Sequence, residues 1–225
     1  MPRIFAIGDI HGCSKSFRNL LLDVIKIKKT DKIYCLGDYI DRGNDSRGVI
    51  DFILKLRGKG YRIHTLRGNH EQMMLDAGLN EHKLNHWFKN GGEITLKSFG
   101  IDSITELPLK YLDFLKRTRH FISTKNYVFV HAGLNFKLDN PFLDKKAMLW
   151  TREEYFEPSK IKNRILIHGH TPVALNIAMN PLNPKNINID GGCVYAHKPD
   201  YGNLIALSLP DRKFISVRNI DSKES

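Results

Sequence analysis

The chain has 225 residues, 41% of them hydrophobic, and a formal net charge of +11. That length suits one α/β domain, since single domains commonly reach about 250 residues, and no apolar run approaches the roughly 20 residues that cross a bilayer. The positive charge admits nucleic acid as a partner, but the lysines are scattered (Lys28, Lys55, Lys146 and Lys162 among them) without an aromatic-interleaved stripe. Composition therefore argues against both nucleic acid and membrane, and a cationic surface suits phosphorylated partners instead. Cys13, Cys35 and Cys193 are odd in number and lack CxxC spacing, which points to a reducing, cytoplasmic setting. A first strand expected to open near Arg3 would leave no room for a signal peptide before Asp9.

In chain order, five short apolar runs end abruptly in polar, glycine-rich turns. IFAI enters Gly8-Asp9-Ile10-His11-Gly12, and Phe17, Leu20, Leu21, Val24 and Ile25 then mark an amphipathic helix. IYCL enters Gly37-Asp38-Tyr39-Ile40-Asp41-Arg42-Gly43, followed by a helix from Ser46 carrying Val49, Ile50, Ile53 and Leu54. IHTL enters Arg67-Gly68-Asn69-His70-Glu71. Residues 71–119 read as a helical excursion, with Pro108 opening a helix through Leu115. VFV then enters His131-Ala132-Gly133, and ILI enters His168-Gly169-His170-Thr171-Pro172. Residues 176–188 read as a surface loop, and later strands are predicted over 187–189, 204–208 and 214–217. The pattern predicts a single domain over residues 1–220 with a frayed tail from Asp221 onward. Its first part is a right-handed parallel winding. The strands after Arg164 are expected to form a second sheet, giving a four-layer α/β/β/α sandwich of two mixed sheets.

Buried parallel strands gather their ligands beyond their carboxyl ends, so these Asp, Asn and His side chains should meet along one edge. Asp and His together suit Mn²⁺, Fe²⁺ or Zn²⁺, and no cysteine lies among the clusters to make a thiolate zinc site. Six candidate ligands (Asp9, His11, Asp38, Asn69, His131 and His170) exceed what one tetrahedral ion needs. Two ions would use them all, with Asp38 bridging from a strand expected to be central. A water shared by two dications deprotonates near neutral pH, which supplies a hydroxide nucleophile. Arg42 and Arg152 are candidates to grip phosphate oxygens through planar guanidinium groups. His70, next to Asn69 but pointing the other way, would pair with Asp41 and protonate a departing oxygen. His168 reads as a hydrogen-bonded neighbour of the ligands, and His64 as a structural residue. His82, His86, His120 and His197 read as solvated. Glu71 reads as an acid at a helix start, and Asp190 as either an orienting group or a turn residue.

GDIHG, GDYIDRG, RGNHE, HAG and GHTP, in this order, resemble the PPP-type metallophosphoesterases. That group comprises serine/threonine protein phosphatases, bacteriophage lambda phosphatase and symmetrical diadenosine tetraphosphate hydrolases. Arg67 to Met74, Trp87 with Asn90-Gly91-Gly92, and Leu149 to Glu153 resemble its prokaryotic and phage branch. The resemblance implies a calcineurin-like fold with Asp9, His11 and Asp38 on one ion and Asp38, Asn69, His131 and His170 on the other. It further implies Asp41 and His70 as the acid pair, Arg42 and Arg152 as the phosphate clamp, and manganese as the cofactor. HAG departs from the HAD of the lambda enzyme. The expected activity is hydrolysis of phosphoserine and phosphothreonine in proteins by a hydroxide held between two metals. The alternative is a diadenosine tetraphosphate hydrolase with the same centre. The short excursion between His70 and His131 leaves an open groove, which favours protein substrates. A degenerate phosphate-binding module would not need the intact ligand set.

Overall fold

The computed structural model describes residues 2–209 and 211–221. Strand β1 (Ile4–Ile7) leads to helix α1 (Ser14–Arg18), β2 (Lys32–Cys35), α2 (Ser46–Gly58) and β3 (Arg62–Thr65). The excursion holds α3 (Asn69–Ala77), α4 (Glu81–Phe88), α5 (Gly92–Phe99) and α6 (Leu109–Lys116). Then come β4 (Phe121–Ser123), β5 (Tyr127–Val130), α7 (Lys145–Trp150), β6 (Ile165–His168), α8 (Leu175–Met179), β7 (Asn186–Asn188), β8 (Asn203–Leu209) and β9 (Lys213–Arg218).

Two mixed sheets form. The first has the order β3-β2-β1-β8-β9, parallel from β3 to β1 and antiparallel through β8 and β9. The second runs β4-β5-β6-β7, with only β4 antiparallel. Side chains alternate across each strand. Phe5, Ile7, Ile33, Cys35, Leu204 and Ala206 face the helical layer. Ala6, Tyr34, Leu36, Ile205 and Leu207 instead meet Phe129, Ile167 and Ile187 between the sheets. Val128, Val130 and Leu166 pack outward on Met148 of α7 and Ile161. These three cores make the four-layer sandwich that the sequence predicts.

Several details differ from the sequence reading. β8 and β9 extend the first sheet, while β4 and β5 supply half of the second. An apolar run does not encode its pairing partner, and β8 is buried along its whole length, so either sheet satisfies its pattern. Val24 is exposed because α1 passes into a wider turn, in which Ile25 N–H bonds Leu20 O at 2.9 Å, five residues back. Residues 176–188 are no simple loop, since they contain most of α8 and all of β7. His120 is half-buried rather than solvated, whereas His82, His86 and His197 are exposed. Asp221, placed at the start of a frayed tail, accepts hydrogen bonds from Lys15 N–H, Ser16 N–H and Ser16 Oγ at 2.6–2.9 Å. The rest of that tail lies outside the described residues.

Candidate metal centre

The six candidate ligands converge where the two sheets meet. Asp9 and His11 follow β1, Asp38 follows β2, and Asn69 opens α3 after β3; His131 follows β5 and His170 follows β6. β1 rather than β2 is the middle strand of its sheet, yet Asp38 is the hub of the cluster. Its Oδ2 lies 3.4 Å from His11 Nε2 and 3.5 Å from His131 Nε2. Two buried groups of donor atoms result, His11–Asp38–His70 and Asp38–His131–His170, and Asp38 belongs to both. Asn69 Oδ1 lies 2.9 Å from His131 Nε2 and 3.0 Å from His170 Nδ1. Asp9 is in neither three-donor group, but its Oδ2 accepts from His170 N–H at 3.0 Å, which ties it to the same loop.

The backbone explains how these side chains hold their aim. His11 Nδ1 donates to Ile40 O at 2.9 Å and His131 Nδ1 to Leu36 O at 3.1 Å. Those carbonyls fix the tautomer and leave each Nε2 as a lone pair. His11, Asp38, Asp41, Arg42 and His170 all adopt positive φ, from 45° to 71°. That is costly for residues with side chains, and the surrounding hydrogen bonds must enforce it.

The donor set fits divalent cations. The lone pair at Nε2 of His131 faces the oxygens of Asp38 and Asn69, acceptor against acceptor, in a buried site. Such a face needs positive charge. Protonated imidazoles do not supply it: burial pushes His11 and His131 down and takes His170 to about 3. Asp9 Oδ1, His70 Nε2 and His170 Nε2 are buried without a hydrogen-bond partner among the described residues. Burial, Asp190 and Asp38 push Asp9 up. Burial alone would raise Asp38 as well, but positive charge placed among His131, His70 and His11 around it would hold it low.

His70 Nδ1 donates to Asp41 Oδ2 at 2.6 Å, and its Nε2 stands 4.0 Å from Asp38 Oδ2. This nitrogen therefore enters the cluster, closer to the ligands than the sequence reading placed it. Arg42 Nη1 donates to His11 Nε2 at 2.8 Å, and its guanidinium lies 5.8 Å from the ring centre of Tyr195. Arg152 is exposed, 3.5 Å from Thr171 Oγ1, and its charge reaches His170 and Asp190.

Three features go beyond the sequence reading. Glu71 is more than a helix-start acid: it accepts from Gly68, Asp38 and Tyr39 N–H at 2.8–2.9 Å, lashing the second loop to the third. Burial and the Asp38 charge push Glu71 up to about 8, against the pull of those three donors. Asp190 is buried beside Asp9 and also accepts from Gly192 N–H at 2.9 Å, so it is both a neighbour of the site and a turn residue. Trp87 and Thr95 close on Asp41. Only the resemblance of Trp87 and its glycines to bacterial relatives hinted at them.

With this geometry in place, comparison is direct. The family model described as calcineurin-like phosphoesterase matches residues 2–202. The chain belongs to that family. Serine/threonine-protein phosphatase 2 of Salmonella typhimurium is 31% identical over 67% of this chain and 68% of its own length. The symmetrical bis(5'-nucleosyl)-tetraphosphatase of Nitrosospira multiformis is 32% identical, over 58% of this chain but only 43% of that protein. The asymmetrical bis(5'-nucleosyl)-tetraphosphatase PrpE of Oceanobacillus iheyensis is 26% identical over 96% of this chain and 92% of its own. A Saccharomyces cerevisiae protein serine/threonine phosphatase shares the fold, with a TM-score of 0.70 at 14% identity, covering 99% of this chain and 82% of that one. This phosphoesterase is thus a metal-dependent hydrolase, and its relatives divide between two substrate classes. Among the described residues no helix is long and apolar enough to cross a membrane.

Proposed function

We propose that this phosphoesterase hydrolyses phosphomonoesters of serine and threonine in proteins. The observation that carries the reading is the buried His70–Asp41 pair, whose free Nε2 opens onto the metal cluster. A serine or threonine alkoxide is a poor leaving group without a proton, so a positioned acid has most to contribute on such esters.

Asp9, His11 and Asp38 would hold one divalent ion, and Asp38, Asn69, His131 and His170 the other, with manganese the proposed metal. Bound there, such ions supply Lewis-acid charge and lower the pKa of water. Arg42 and Arg152 hold the non-bridging phosphoryl oxygens by charge-assisted hydrogen bonds. Asp41 keeps the proton-bearing Nδ1 of His70 turned toward itself, and His70 Nε2 delivers a proton to the departing oxygen. Glu71 fixes the loop backbone that carries Asp38 and Tyr39.

The test is His70→Asn, assayed with Mn²⁺ on a phosphoserine peptide and on p-nitrophenyl phosphate, whose phenolate leaves without help. Turnover should fall by about 10²–10⁴-fold on the peptide and much less on the aryl ester, with metal content unchanged. Equal losses, or a lost ion, would assign His70 to the metal centre instead.

A second reading, hydrolysis of dinucleoside tetraphosphates, is favoured by the near full-length match to the asymmetrical tetraphosphatase. Parallel turnover of phosphopeptides and diadenosine tetraphosphate separates the two.

A further inference from the structure

Asp41 faces more than His70. The indole N–H of Trp87 donates to Asp41 Oδ2 at 2.9 Å and to Oδ1 at 3.1 Å, and the hydroxyl of Thr95 donates to Oδ1 at 2.6 Å. The Asp41 N–H, in turn, bonds Thr95 Oγ1 at 2.9 Å and Ser46 Oγ at 3.1 Å. Asp41, Trp87, Thr95 and Ser46 are all fully buried. Trp87 lies on α4 and Thr95 on α5, so both come from the excursion, which supplies only Asn69 and His70 at its very start to the cluster. Gly91 and Gly92 make the approach feasible. Gly91 has φ of 102° and sits where a Cβ would press on Arg42 N, and Gly92 lies flat against the Trp87 ring, where a side chain would collide.

We propose that Trp87 and Thr95 are positioning residues for proton delivery: together they fix the plane of the Asp41 carboxylate so that Oδ2 meets His70 Nδ1 and His70 Nε2 points at the leaving oxygen. A carboxylate can rotate about its Cβ–Cγ bond. One hydrogen bond to the imidazole leaves that rotation free, whereas donors on both oxygens stop it. Asp41 also holds a φ of 68°, which gives its side chain an unusual direction that the Thr95 and Ser46 contacts to its backbone maintain. A tryptophan that merely filled the core could give its indole N–H to any carbonyl, without a buried carboxylate. On this view the excursion is the lever that aims the acid. Substitutions there should act on esters according to their leaving group.

This inference rests on the acid role of His70, and the experiment keeps the two apart. Trp87→Phe retains a ring and removes the N–H; Thr95→Val removes the hydroxyl at nearly constant shape; Thr95→Ser keeps the donor. All three are assayed beside His70→Asn on a phosphoserine peptide and p-nitrophenyl phosphate with Mn²⁺. Trp87→Phe and Thr95→Val should each lower kcat on the peptide by about tenfold or more, the worth of one hydrogen bond to a charged group, with KM unchanged. The loss should shrink on the aryl ester, and Thr95→Ser should recover most of the parental kcat. In metal-free protein labelled with ¹⁵N-histidine, the His70 Nδ1–H resonance should shift or broaden by exchange in Trp87→Phe. If His70→Asn shows the leaving-group dependence and Trp87→Phe neither shows it nor moves that resonance, the positioning role is overturned. Equal losses on both esters in His70→Asn would overturn the acid assignment and the inference with it. Should Thr95→Val fail to fold, Trp87→Phe and Thr95→Ser decide the matter alone.

Discussion

Glu71 offers the sharpest perturbation of the site that touches no phosphate. Its carboxylate accepts three backbone N–H groups, those of Asp38, Tyr39 and Gly68, at 2.8–2.9 Å in a fully buried position. Leaving a buried N–H without an acceptor costs about 1–3 kcal/mol, so three sum to roughly 3–9 kcal/mol. Removing the carboxyl group also ends its unfavourable burial beside Asp38, which pushes Glu71 up, and returns part of that sum. Glu71→Ala should therefore destabilise the protein by about 4 kcal/mol, a large share of the roughly 5–15 kcal/mol that a domain possesses. Glu71→Gln should cost less. Its carbonyl can still serve Asp38 and Gly68, which share one oxygen, but its NH₂ then opposes the Tyr39 N–H, a mismatch worth about 1–3 kcal/mol. Urea unfolding with and without Mn²⁺ measures both, the slope being checked for constancy. Because the same carboxylate fixes the Asp38 backbone, Mn²⁺ affinity should fall alongside stability. Glu71→Ala within about 1 kcal/mol of the parent, binding Mn²⁺ unchanged, would refute the cross-brace.

The remaining predictions concern metal, pH and phosphate. Chelation should abolish hydrolysis and lower the melting temperature, since ions bind the native cluster alone, with Mn²⁺ restoring both more fully than Ca²⁺; an unshifted melting temperature on adding Mn²⁺ would argue against a preformed cluster. Metal-free protein should lose stability as pH rises above about 6.5. Burial raises Glu71 to about 8 and Asp190 to about 7, so the native state holds those protons more tightly and their contribution is lost as pH rises through 7–8. Burial lowers His168 to about 4 and His170 to about 3, so their contribution is lost as pH falls below the ordinary histidine range, where it offsets what the two carboxyls gain. Saturating Mn²⁺ should remove the alkaline decline, and a metal-free protein that melts higher at pH 8.5 than at 6.5 would contradict the sign. Arg152→Ala should raise KM for phosphoesters and lower kcat while sparing metal content, at about 1.5–3 kcal/mol per lost charge-assisted bond. Parental kinetics would remove Arg152 from the site. Arg42→Ala should act similarly and also loosen His11, whose Nε2 it contacts at 2.8 Å.

The sequence by itself settled the family, the layer count and the convergence of Asp9, His11, Asp38, Asn69, His131 and His170. The reason is local: a buried strand ending in a glycine-rich turn places its next polar residue at the sheet's carboxyl edge, whichever strand lies beside it. Pairing is not local. The apolar pattern of β8 suits either sheet equally, and only the tertiary structure shows that it pairs with β1. The wide turn that exposes Val24 depends on how α1 packs, which helical periodicity cannot register. The supports of the site were hidden for the same reason. Trp87 and Thr95 are 46 and 54 residues from Asp41, and nothing in their neighbourhoods announces a carboxylate. Glu71 shows its bond to Gly68 in sequence, as an acid three residues into a helix. Its bonds to Asp38 and Tyr39 exist only because parallel strands β2 and β3 bring two loops side by side.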